Sequence, residues 1–158
     1  MKKLLFLWLI VFLASCIKED ATSYRAYLKN ATSHSILVLP HKNGRVLPTD
    51  TIRLVPEQEI VIAEGSERGI KNHGGFHSKY LSIGSDDSVI VVFDAILSVS
   101  HYVNLPTATS AKYLKFESLR NILNGSSYDY TYKDINKHLR EATYRYTFVD
   151  SDYQFAKQ

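Results

Sequence analysis

The sequence predicts a mostly-β protein, a β-sandwich of immunoglobulin-like or related type with one or two short helices. Short β-branched runs recur along the first two thirds, each closed by a turn dipeptide, an aspartate or a proline. Two later segments alternate aromatic and polar residues at period two, Tyr128-Tyr130-Tyr132 and Tyr144-Tyr146-Phe148. Roughly six to nine short strands at such spacing suit two packed sheets. No repeat of solenoid length and no low-complexity linker divides the chain.

Tyr24–Lys29 mixes apolar and basic positions as a strand, and Asn30-Ala31-Thr32-Ser33 turns the chain. Ile36–Leu39 is a second strand, ended by Pro40. Asn43-Gly44 suits a two-residue hairpin, because both positions tolerate positive φ. Thr51–Leu54 and Ile60–Ala63 follow as strands around a Pro56 turn. Gly65–Gly75, with four glycines and several charges, reads as a surface loop. Val89–Phe93 is continuously apolar, the pattern of a central strand covered on both faces. Leu97, Val99, His101 and Val103 continue at period two after a turn near Asp94. Phe116, Leu119, Ile122 and Leu123 share one helical face, with Gly125 placed to cap it, and predict one short helix.

The N-terminus carries an address. Met1-Lys2-Lys3 precedes an apolar run, Leu4–Ala14, well short of the ~20 residues that span a bilayer. Such a segment reads as a secretory signal removed in the mature protein. Leu13-Ala14-Ser15-Cys16 resembles the lipobox of bacterial lipoproteins. That resemblance implies cleavage after Ser15, acylation of Cys16 and a lipid-anchored chain. A single acyl chain holds marginally, whereas several hold durably. Lys18-Glu19-Asp20 resembles the signal that carries lipoproteins of one Gram-negative group to the outer face of the outer membrane. The divisions are then a signal peptide at 1–15, a lipidated tether at 16–23 and a single β-rich domain at 24–158.

Cleavage removes Lys2 and Lys3, so a formal charge of +3 falls to +1. A nearly neutral chain without a Lys/Arg cluster lacks the electrostatic footprint of a nucleic-acid binder. With its single cysteine lipidated, the domain has no disulfide, thiolate metal site or cysteine nucleophile. Ser85-Asp86-Asp87-Ser88-Val89 leading into Val91-Val92-Phe93-Asp94, then Asn121-Ile122, Ser127-Tyr128, Tyr144-Arg145-Tyr146-Thr147, Asp152-Tyr153 and Ala156, is similar to small surface lipoproteins of the same bacterial group. Those families have no assigned activity, so the resemblance implies location and fold alone.

No nucleophile-elbow serine, phosphate-binding glycine loop or helical metal motif is present in the sequence. His73 and His77 flank two glycines, which opposes the helix their spacing needs to share a metal. Asp86, Asp87, Asp94, Asp150 and Asp152 lack the spacing of a calcium loop and read as turn formers. No cofactor and no metal are expected. Asp50-Thr51-Ile52 and Asp87-Ser88-Val89 resemble the O-glycosylation acceptor of this bacterial group, with Thr51 and Ser88 as acceptors. Eleven tyrosines remain to be placed. Tyr128, Tyr130, Tyr132, Tyr144 and Tyr146 form either core-facing strands or an exposed platform that stacks sugars or contacts a protein. The expected role is a non-enzymatic surface protein binding a glycan or protein partner. A structural subunit of an envelope assembly is the alternative, and a small hydrolase a third class.

Cys16→Ala is expected to leave a folded protein that partitions into the soluble fraction. Its retention in membranes on cell fractionation would contradict the anchor.

Overall fold

The computed structural model describes residues 19–42, 45–69, 88–104 and 112–158. The signal segment, Cys16, Lys18, the Asn43-Gly44 turn, His73, His77, Asp86 and Asp87 lie outside them.

The fold is mostly β, in two sheets. Among the described residues, β1 (Ala21–Asn30), β2 (Ile36–Lys42), β3 (Arg45–Val46), β4 (Ile52–Leu54), β5 (Glu59–Arg68), β6 (Ser88–Phe93), β7 (Leu97–Tyr102), β8 (Tyr113–Leu114), β9 (Asp129–Asn136) and β10 (Leu139–Phe148) precede a helix, α1 (Asp150–Lys157). The first sheet has the order β5-β1-β10-β9, and the second β3-β2-β6-β7-β8, with β4 also beside β2. β1 and β10 pair in parallel over their full length, from Ala21 with Leu139 to Asn30 with Phe148.

Period-two burial explains the core. Ala26 and Leu28 of β1 and Ala142, Tyr144, Tyr146 and Phe148 of β10 point inward from the first sheet. Ile36, Val38, Val89, Val91, Phe93 and Val99 meet them from the second. Phe93 packs edge-to-face on Phe148 across the layers at 6.5 Å, and α1 closes one side by setting Tyr153 against Phe93 at 5.9 Å.

Several expectations are corrected by the structure. β6 is central, between β2 and β7, but only Val89, Val91 and Phe93 are buried; Ile90 and Val92 are half-buried on the opposite face. Pro40 lies inside β2 instead of ending it. β4 pairs only with Ile36–Val38 and β3 only with His41–Lys42, so no ladder bond is required of the proline nitrogen. The loop expected from Gly65 is strand up to Arg68, where Tyr24 lies across Gly65 so closely that a Cβ there would collide with its ring. β1 also takes in Ala21, Thr22 and Ser23, which the sequence assigns to the tether.

The helix expected at 116–123 is absent; that stretch is turns. Ile122 and Leu123 are buried, but Phe116 and Leu119 are exposed, so no single apolar face forms. Local side-chain bonds compete with the helix. The Asn121 amide donates to the carbonyls of Tyr102 and Leu114 at 3.0 Å each, and its oxygen accepts the Leu123 N–H at 2.9 Å. Asn124 accepts the Ser126 N–H at 2.9 Å, opening a 3-10 turn at Gly125–Ser127 in place of a helix cap. The helix forms instead at α1, with Asp150 and Asp152 in its first turn and Lys157 in its last, charges that suit the helix dipole. Asp152 accepts the Val149 N–H at 2.9 Å at its start.

Asn30, expected in a turn, is fully buried at the end of β1. Its amide nitrogen donates to the His34 carbonyl at 2.7 Å, and its oxygen accepts the Thr32 N–H at 3.0 Å and the Thr32 hydroxyl at 2.8 Å. Asn30→Ala strands these buried partners and is expected to cost roughly 2–4 kcal/mol, since each orphaned polar group costs about 1–3 kcal/mol. A chemical-denaturation midpoint unchanged from the parent protein would contradict this role.

Candidate functional site

The tyrosine-rich strands divide between core and surface. β10 is flanked by β1 and β9, so its inward row has the second sheet beneath it. Tyr144 and Tyr146 are buried there. Tyr128, just ahead of β9, is buried too, and its hydroxyl donates to the Ile122 carbonyl at 2.9 Å. The Tyr146 hydroxyl donates to the Arg120 carbonyl at 2.8 Å. Desolvation raises the pKa of both Tyr128 and Tyr146 above the usual phenol range. Desolvation first, then Tyr130 and Glu67, pushes Tyr144 up to about 12. These three tyrosines are core residues, which corrects their place among the ligand-binding candidates.

Tyr130 and Tyr132 remain outside, 40% and 55% exposed. They share the face of Tyr144, for Tyr130 pairs with Tyr144 and Tyr132 with Ala142. β9 is the outermost strand, and every residue in it is exposed. The two rings sit 5.8 Å apart at an interplanar angle of 30°. Tyr130 leans on Tyr144 at 5.1 Å, and the Arg140 guanidinium lies 3.9 Å over Tyr132. Arg140 is itself fixed by a bidentate pair, Nε donating to Asp134 Oδ1 at 2.8 Å and Nη2 to Oδ2 at 3.2 Å. The result is a preorganised aromatic surface with a carboxylate at its rim and a buried guanidinium beneath it.

A second feature, a cavity of about 250 Å³, lies between the sheets under α1. Val91, Phe93, Leu114 and Phe155 line it, with His101, Arg120 and Asp152 among its polar members. These three are engaged within the fold. His101 Nδ1 accepts the Ile122 N–H at 3.0 Å. Arg120 Nε donates to Asp152 Oδ1 at 2.8 Å, and Arg120 Nη2 donates both to Asp152 Oδ2 and to the Thr147 carbonyl. The sequence placed His101 on a strand but gave no sign of this bond.

His34, Ser35 and Asp94 also meet. His34 Nδ1 lies 2.6 Å from Asp94 Oδ2, while Asp94 Oδ1 accepts the Ser35 N–H at 2.9 Å and the Ser35 hydroxyl at 3.2 Å. The hydroxyl is bonded to the carboxylate, not to the imidazole, so the nucleophile–base–orienter order of a hydrolytic triad is not formed. The His34 bond lowers the Asp94 pKa. His34 stacks on Tyr153 at 3.5 Å, pinning α1 to the β6–β7 turn, in which Asp94 and Ala95 take positive φ of 48° and 59°.

Among the described residues no three His, Cys, Asp or Glu side chains gather as a metal site. Asp94 and Asp152 are committed to His34 and Arg120, and Asp150 stands exposed in the first turn of α1. Thr51 and Ser88 are half-buried at the starts of β4 and β6. Glu19 is exposed, whereas the Asp20 carboxylate lies 2.9 Å from His138 Nδ1 and its backbone carbonyl accepts the Gly69 N–H at 2.7 Å. Among the described residues no helix is long and apolar enough to cross a membrane. Comparison with known family models, curated proteins and solved structures finds no match to this chain.

Burial, and the positive Arg120 nearby, push the His101 pKa from 6.5 to about 3. The unfolded chain takes up this proton as the pH falls through 6.5, whereas the native state resists until about 3. Stability is therefore lost as the pH falls across that window, at about 1.4 kcal/mol per pH unit for one proton. His101→Gln, which retains an acceptor for Ile122, is expected to flatten the acid limb of stability against pH. Equal slopes for the two proteins between about pH 6 and 4 would contradict the assignment.

Proposed function

We propose that this chain is a lipid-anchored protein of the outer membrane that faces the cell exterior and plays a non-enzymatic binding role. Its ligand is a glycan, taken on the exposed face of Tyr130 and Tyr132. The N-terminal leader ending in Cys16, followed by Lys18-Glu19-Asp20, supports the location. The observation that carries the ligand class is the braced pair of rings on β9. Tyrosine offers the C–H face of a sugar a flat apolar partner at low entropic cost. Asp134 brings a half-exposed carboxylate to the same edge, where sugar hydroxyls need an acceptor, and the buried Arg140 fixes it there. Because Arg140 and Tyr144 already hold the rings, little ordering is left for binding to supply. The structural-subunit reading draws on a different property of the same strand, its outer backbone edge.

A glycan array probed with the full chain is expected to give binding that Tyr132→Ala and Tyr130→Ala remove. Both variants should melt within a few degrees of the parent. Tyr144→Ala, by contrast, is expected to cost about 3–5 kcal/mol of stability through loss of buried aromatic volume. Binding unaffected by the Tyr130→Ala/Tyr132→Ala double variant, or no binding across the array, would overturn the glycan assignment.

A further inference from the structure

We infer that β9 is a self-pairing edge, and that two copies of this chain join there in antiparallel fashion to make one continuous eight-stranded sheet. This goes beyond glycan recognition and does not depend on it. β9 closes the sheet order on one side, and among the described residues no strand pairs with its outer edge. It is eight residues long, contains no proline and is exposed throughout, and its register against β10 shifts once, at Ile135, outside the regular Asp129–Asp134 stretch. Strand edges of this length are templates for another strand unless they are covered or interrupted.

The sequence of β9 selects both the occupant and the register. Asp129, Thr131 and Lys133 share one face of the strand, and Tyr130 and Tyr132 share the other. Antiparallel partners across a two-fold axis normal to the sheet must come from the same face. With that axis at Thr131, each Asp129 meets the partner's Lys133, and each Lys133 meets the partner's Asp129. Thr131 then faces its own copy, and each Tyr130 lies opposite the partner's Tyr132. Aromatic, hydroxyl and opposite-charge pairs are all favourable cross-strand neighbours. With the axis at Tyr132, Asp129 falls opposite Ile135 and Lys133 opposite Thr131. With the axis at Tyr130, Asp129 faces Thr131 and Lys133 faces Ser127. Of these three registers, the one at Thr131 alone pairs Asp129 with Lys133, and it does so twice. A second copy therefore complements this edge in charge and in side-chain shape. The pairing also brings two Tyr130–Tyr132 faces together into one run of four rings.

The test uses the full chain in detergent, with molecular mass read by light scattering during size-exclusion chromatography. The parent protein is expected to run as two copies. Asp129→Lys alone and Lys133→Asp alone place like charges opposite each other and should weaken association at least about tenfold. The double variant Asp129→Lys/Lys133→Asp restores both pairs with reversed sign and should return the two-copy mass. Thr131→Cys should cross-link on mild oxidation, whereas the parent, with Cys16 as its only cysteine, should not do so at this site. A one-copy parent, association unaffected by either single reversal, or failure of the double variant to recover it would each overturn the inference. None of these masses requires a glycan, so failure of the array leaves this result standing.

Discussion

β10 is hydrogen-bonded on both sides, in parallel to β1 and antiparallel to β9, and it lies directly over the second sheet. Period-two geometry then leaves Tyr144, Tyr146 and Phe148 no direction but inward. The Tyr146 ring meets Phe148 and Phe148 meets Phe93, filling the space between the layers. β9 is one strand further out. The same inward direction carries Tyr130 and Tyr132 past the margin of the core, where the second sheet no longer covers them. The exposed aromatic surface and the open strand edge are both consequences of where β10 sits.

The alternation of tyrosines made the two strands and their aromatic faces legible in the sequence. Their different fates were not legible, because periodicity reports which residues share a side and not how far the opposing layer extends. The helix expected at 116–123 failed for a related reason. Its spacing was apolar in the right places, but Asn121 and Asn124 hold the backbone in turns through bonds whose acceptors lie on β7, on β8 and beside Phe116. α1 gave little apolar signal because it is short and buries chiefly Ala156, while half-buried Tyr153 and Phe155 contribute at its margins. The turn at Asn30 was legible. Its burial and its tie to His34 depend on β1 lying inside the first sheet, which local composition does not record.

The polar groups in and around the core are mostly occupied in holding elements together. His101 joins β7 to the segment before β9, Arg120 joins that segment to α1 and β10, and His34 with Asp94 fixes α1 over the β6–β7 turn. Their donors and acceptors point at neighbouring backbone and side chains, and the cavity beside them is enclosed largely by apolar walls. Preorganised surface chemistry is concentrated on β9, where Asp134 and two rings are held open to solvent by the buried Arg140 of β10.

The central claim, that one strand's position divides the tyrosines into buried and open sets, is most directly tested by nitration of the native protein with tetranitromethane and peptide mapping by mass spectrometry. Modification of Tyr130 and Tyr132, with Tyr128, Tyr144 and Tyr146 spared until the protein is denatured, is the result required. Equal modification of all five in the native state, or protection of Tyr130 and Tyr132 alongside the rest, would contradict it.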